Sequence, residues 1–197
     1  MTTRRSSTSP FQLPQWAIRL ARSRHTPFLS KESRMRFVIA LASTNVARGT
    51  GGPFGAAVFE RAGWRLVAIG VNLVESARCS HAHAEMVALA NAQQAVGRFD
   101  LSAAGFSPHE LVTSCEPCAM CYGAIPWSGI RSVLCGARAS DAEAIGFDEG
   151  AKPKNWVAEF KNRRITVVRD LCRKEAVAVL QEYKNGGGAI YGARKRS

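Results

Sequence analysis

Between residues 34 and 48 the apolar positions Met35, Val38, Ile39, Ala42 and Val46 recur at three- and four-residue intervals. That spacing puts them on one face and predicts a helix, which runs into the turn Gly49-Thr50-Gly51-Gly52. Residues 53–61 and 65–72 read as two strands joined at Ala62-Gly63-Trp64, a hairpin. An alanine-rich helix is predicted over 81–96 and a short strand over 110–114. Pro117 suits the first turn of the next helix, where its missing amide hydrogen would have had no partner. A strand over 131–138, a short helix over 140–145, a last strand over 165–168 and an amphipathic helix over 173–184 complete the pattern, and Gly186-Gly187-Gly188 follows. There is no internal repeat and no second core. The chain divides into an arm over 1–33, a domain over 34–185 and a tail over 186–197.

At 197 residues and 46% hydrophobic content the chain can bury one substantial core, which excludes disorder as its main state. No apolar run approaches the length of a membrane-spanning helix. The six cysteines are not spaced as a disulfide framework, so a reducing compartment, the cytoplasm, is expected. The net charge of +12 suggests nucleic acid, but its distribution does not. Residues 1–36 carry eight Lys or Arg against Glu32 alone, and residues 184–197 carry Lys184, Arg194, Lys195 and Arg196 with no acid. Fifteen bases and fourteen acids share the rest, so the domain is nearly neutral and the surplus reads as solvated ends. The Arg- and Ser-rich start also resembles a mitochondrial transit segment. Against that, Phe11, Leu13, Trp16, Ile18 and Leu20 can pack on the domain.

The chemistry concentrates in His83-Ala84-Glu85 and, after a gap, Pro117-Cys118-Ala119-Met120-Cys121. One imidazole and two thiolates are three of the four ligands of a tetrahedral zinc, which leaves one position for water. Glu85 stands beside them as a carboxylate that can move protons. Cys118 and Cys121 lie three apart at a helix start, whose positive end favours both thiolates. A structural zinc would need a fourth protein ligand, and Cys79, Cys135 and Cys172 are scattered singly. A redox dithiol would give His83 and Glu85 no role. Cys115 and His81 read as bystanders, the first packed at a strand end and the second about 200° round the helix from the metal.

His-x-Glu with Pro-Cys-x-x-Cys is the signature of zinc-dependent nucleobase deaminases. The chain resembles the cytidine deaminase superfamily over most of its length, and within it the bacterial guanine deaminases. The resemblance is carried by Val112 to Ile125 around the two cysteines, by Ala144-Ile145-Gly146-Phe147-Asp148-Glu149, and by the pocket-lining strand ends Gly52-Pro53-Phe54-Gly55-Ala56 and Gly70-Val71-Asn72-Leu73-Val74. It implies an α/β fold, a three-layer α/β/α sandwich with a mixed five-stranded sheet.

The same resemblance implies zinc on His83, Cys118 and Cys121, with Glu85 as the main proton shuttle and Glu149 as a second acid. Asn72 would hydrogen-bond the base, and Phe54, Trp127 and Phe147 would frame the ring. Ordinary core is the alternative role for the three aromatics, and a solvated loop acid the alternative for Glu149. The expected reaction is hydrolysis of guanine to xanthine and ammonia by a homodimer. The alternatives are a related aminopurine, an amino-triazine such as ammeline, or adenosine in tRNA. Ala189, Ile190 and Tyr191 follow the glycine triplet as an apolar patch, as a lid over a small-molecule pocket requires. A closed lid leaves no room for a polynucleotide.

Overall fold

The computed structural model describes residues 11–103, 105 and 107–191. Five strands form one sheet: β1 (Gly55–Glu60), β2 (Arg65–Val71), β3 (His109–Cys115), β4 (Ser132–Ala137) and β5 (Thr166–Val168), in the order β2-β1-β3-β4-β5. The hairpin β1–β2 is antiparallel and β1 pairs antiparallel with β3, whereas β3, β4 and β5 run parallel. The expected mixed sheet is therefore present. Strands β3 and β4 are buried along their whole length, as parallel strands covered on both faces must be.

The two-residue period of β1 divides the core. Ala57 and Phe59 face a layer built by α2 (Lys31–Ala47) and α7 (Arg173–Asn185), with Met35, Val38, Leu41 and Leu180. Ala56 and Val58 face a second layer of α3 (Ala84–Val96), α4 (Ala119–Trp127) and α6 (Trp156–Asn162), with Ala88, Ile125 and Phe160. The short α5 (Ala139–Glu143) follows β4 and packs toward α7. Among the described residues no helix is long and apolar enough to cross a membrane.

The described part of the segment expected as an arm packs on the domain, with Phe11, Leu13, Trp16 and Leu20 against the core. Residues Gln15–Arg22 form α1, with Trp16 and Ala17 buried in the first layer and the Trp16 indole donating to Thr50 Oγ1 at 3.2 Å. Helix α2 starts at Lys31, earlier than the apolar period indicated, because Ser30 caps it by accepting from the Ser33 amide at 3.0 Å. The buried Arg34 then pairs with the buried Glu110 at 2.9 Å, Ser132 donates to the other Glu110 oxygen at 2.8 Å, and the guanidinium lies 3.8 Å from the Trp64 ring centroid. Either charge alone would be a buried unpaired ion, a state that costs about 3–5 kcal/mol relative to the pair.

Helix α6 was not anticipated. It is only seven residues long, and its buried pair Trp156 and Phe160 is a single i, i+4 repeat. The helix predicted from residue 81 starts instead at Ala84, because His83 is extended (φ −67°, ψ 155°) and occupies the cap position.

Candidate active site

Most of the candidate chemistry lies at one end of the strands. β1 begins there, β2 and β3 end there, and the register pairs Gly55 with Val71 and Ala56 with Thr113. Phe54, Asn72 and Glu116 therefore emerge side by side, and the N-termini of α3 and α4 meet above them. Close packing sets the first helix. A Cβ added to Gly70 on β2 would come within 2.1 Å of the Ala84 carbonyl, so only glycine lets α3 lie this near the strand.

His83 and Cys118 are the cap residues of α3 and α4, neither makes a side-chain capping hydrogen bond, and Cys121 lies one turn along α4. Their donor atoms all lie within 4.8 Å of one another. His83 Nδ1 is 3.4 Å from Cys118 Sγ and 3.8 Å from Cys121 Sγ. A tetrahedral zinc with ordinary Zn–N and Zn–S bonds has N···S edges of about 3.6 Å, so the donor set fits that ion in type and spacing. Among the described residues this is the only cluster of this kind.

Electrostatics point the same way. The Cys118 thiol is pulled down to about 4, first by the hydrogen bond from Cys121 and then by His83, against the cost of burial. Cys121 is pushed up, because its proton is the one Cys118 holds. Burial pushes the Glu85 carboxyl above its ordinary range, with the Cys118 charge adding to it, and Glu85 Oε2 lies 3.6 Å from Cys121 Sγ. Burial likewise lifts Glu149 to about 8, with Cys118 and Glu85 adding and Lys152 opposing. Two carboxyls raised beside a metal-ligand cluster are groups able to carry protons near neutral pH.

Of the groups just described, all but Cys121 and Lys152 line a cavity of about 600 Å³. It contains the expected His83, Glu85, Cys118, Glu149, Asn72, Phe54, Phe147 and Tyr191. The Phe54 and Phe147 rings meet edge to face at 5.0 Å, and Tyr191 meets Phe147 at 5.2 Å. Asn72 is 1% exposed; its Oδ1 accepts from the Val74 amide at 3.3 Å, whereas its Nδ2 has no partner. The buried Tyr191 hydroxyl also lacks one. The tail is brought here by Tyr183, whose hydroxyl donates to the Ala189 carbonyl at 2.7 Å. Arg194, Lys195 and Arg196 lie outside the described residues.

The expectation for Trp127 is corrected. It ends α4 on the outer surface, 81% exposed, and does not line this cavity, since the helix axis carries it away from the end that holds Cys118. Cys115 is buried at the end of β3 and lines the cavity without joining the donor cluster. His81 is also outside that cluster, but in the turn before α3 and 3.3 Å from Cys79 Sγ, not on the helix. Val74, at the end of the expected pocket-lining strand, is among the lining residues, and sequence reasoning missed Arg78, Ser80 and Glu116. Glu116 had a signal, since it directly precedes Pro117.

Fold and site together define a zinc-dependent deaminase. The family model for the cytidine and deoxycytidylate deaminase zinc-binding region matches residues 29–137, and the chain belongs to that family. The guanine deaminase of Bacillus subtilis (strain 168) is 36% identical over 121 residues, which are 61% of this chain and 73% of that protein. A guanine deaminase structure from Nitrosomonas europaea is similar at TM-score 0.85 and 48% identity, covering 88% of this chain and 94% of that one. A crystal structure in complex with 2,6-diaminopurine reaches TM-score 0.87 at 47% identity, over 94% and 97% of the two chains.

Proposed function

We propose that this chain hydrolyses guanine to xanthine and ammonia. The observation that carries this reading is a cavity walled by Phe54, Phe147 and Tyr191 in which the Asn72 amide and the Tyr191 hydroxyl are buried without partners. Buried polar groups are ordinarily paired, and a flat base with donors and acceptors on its edge would satisfy both. Its similarity to guanine deaminases supports the same substrate.

His83, Cys118 and Cys121 would hold the zinc, which when bound supplies a Lewis acid that makes water nucleophilic near neutral pH. Asn72 and Tyr191 orient the base, and the aromatic walls hold its plane. Glu85 accepts the proton of the water attacking C2 and delivers it to the adjacent ring nitrogen. Glu85 or Glu149 then carries the proton of the new C2 hydroxyl to the departing amine, which leaves the xanthine carbonyl and ammonia, and the raised carboxyl of Glu149 suits such a carrier. Tyr191 lines the cavity, and the tail that carries it would serve as the lid that excludes water. Free cysteines suit work in the cytoplasm.

Ammonia release from guanine, ammeline and an anticodon stem-loop, compared for the full chain and for one truncated after Lys184, tests this reading. Guanine turnover by the full chain and a loss of about 10²-fold on truncation are expected, since the tail supplies Tyr191 and closes the site. Activity on RNA alone would overturn the assignment, and an equally active truncated chain would overturn the lid.

Glu149 and Asp148 separate catalysis from surface charge. Glu149 is buried, whereas Asp148 is exposed and accepts from the Gly150 amide at 2.9 Å. Glu149→Gln should lower kcat about tenfold or more with little change in Tm, and Asp148→Asn should do much less. Equal, mild effects at both would make Glu149 an ordinary loop acid.

A homodimer is supported by Trp127 and Phe99, 81% and 83% exposed, which flank a groove with Met86 and Leu89 on the outer side of α3 and α4. Sedimentation at twice the chain mass is expected, and a monomer at micromolar concentration would end the idea.

A further inference from the structure

The Glu149 carboxyl sits in an irregular loop between α5 and α6, and among the described residues its side chain makes no hydrogen bond. Backbone anchors must therefore set its position. The Glu149 carbonyl accepts from the Ala119 amide at 2.9 Å, which satisfies a donor at the start of α4 that no capping side chain reaches. Three residues on, Lys152 Nζ donates to the Pro117 carbonyl at 2.6 Å. The loop thus grips both sides of Cys118. Gly150, at φ +71°, permits the approach, since an added Cβ would lie 3.0 Å from the Ala119 Cβ. Lys152 is itself placed by the buried indole of Trp156, 4.8 Å from its ring centroid, while Arg169 approaches the same ring at 5.7 Å and pairs with Glu116.

We propose that Lys152, braced on Trp156 and bonded to the Pro117 carbonyl, is a positioning residue that holds Glu149 in register with the zinc-ligand loop. This rests on the reading of Glu149 as a proton donor in guanine hydrolysis. Loss of the ammonium frees one of the loop's two anchors and lets the carboxyl drift, and a misplacement of about 1 Å can cost up to about 10²-fold in rate.

The test compares Lys152→Met, which keeps the stem on Trp156, with Lys152→Arg, which keeps a donor, and with the exposed control Lys154→Met. In zinc-loaded protein, Lys152→Met should speed amide exchange across residues 147–152 while zinc content and Tm stay at wild-type values. Its kcat on guanine should fall about tenfold with KM within about twofold, Lys152→Arg should recover most of the loss, and Lys154→Met should match wild type. In a Glu149→Gln background the Lys152→Met change should cost less than about twofold, because there is no carboxylate left to position. Unchanged exchange in Lys152→Met, loss of zinc, or the same fold-loss of kcat in both backgrounds would overturn the proposal. A wild-type chain inactive on guanine would count against the substrate assignment, and the exchange measurement would still decide the role of Lys152.

Discussion

Glu85→Gln is expected to keep its zinc and its fold while turnover falls by ~10²–10⁴-fold. The side chain is buried in the first turn of α3, and glutamine has nearly the same volume, so packing has little to lose. Glu85 is not among the three clustered donors, so the metal should stay. What disappears is, among the described residues, the one carboxyl in the cavity that both touches the ligand cluster, through Cys121 at 3.6 Å, and is held above its ordinary range by burial and the Cys118 charge. It has two proton transfers to make, which is why the upper part of the range applies. Steady-state kcat, zinc content by atomic absorption and Tm measured together check this. A variant within a few-fold of wild type would place the shuttle elsewhere.

Alanine at His83, Cys118 or Cys121 should release the zinc and abolish most activity. Among the described residues three protein donors converge, so each removal leaves two, too few for a tetrahedral site at micromolar metal. Lewis-acid activation contributes several kcal/mol, so the loss should be about 10³-fold or more. Cys121 is fully buried and its truncation also leaves a void, so Cys121→Ala should lower Tm more than His83→Ala, whose ring is only partly buried. Full zinc occupancy in both Cys118→Ala and Cys121→Ala would sink the assignment, and dialysis against a chelator followed by zinc should restore activity in the wild type alone.

Individual elements emerged locally, the β1–β2 hairpin from two apolar runs around a turn and α2 and α7 from three- and four-residue spacing, whereas the layered mixed sheet was what the resemblance implied. Such patterns report which face of a single element is buried, and they carry element type even where the ends shift. Helix α6 escaped because seven residues with one apolar pair carry too little period to stand out. Helix α1 escaped as an element, although Trp16 was among the residues able to pack on the domain, because eight residues carry too little apolar period to stand out.

The sequence by itself marked the candidate metal donors and Glu85, because His83 with Glu85 and Cys118 with Cys121 each lie within one turn of a helix start and local spacing fixes direction within each helix, whereas the meeting of the two helix starts is tertiary. It also showed that Tyr191 follows a glycine triplet. Only the tertiary structure decided that Trp127 leaves the site, that Asn72 and Tyr191, 119 positions apart in the numbering, are buried together without partners, and that Lys152 reaches the Pro117 carbonyl. These contacts depend on strand order and on how far each helix runs from the strand ends. Both arise from packing one layer against another, and no local pattern of apolar and polar residues encodes them.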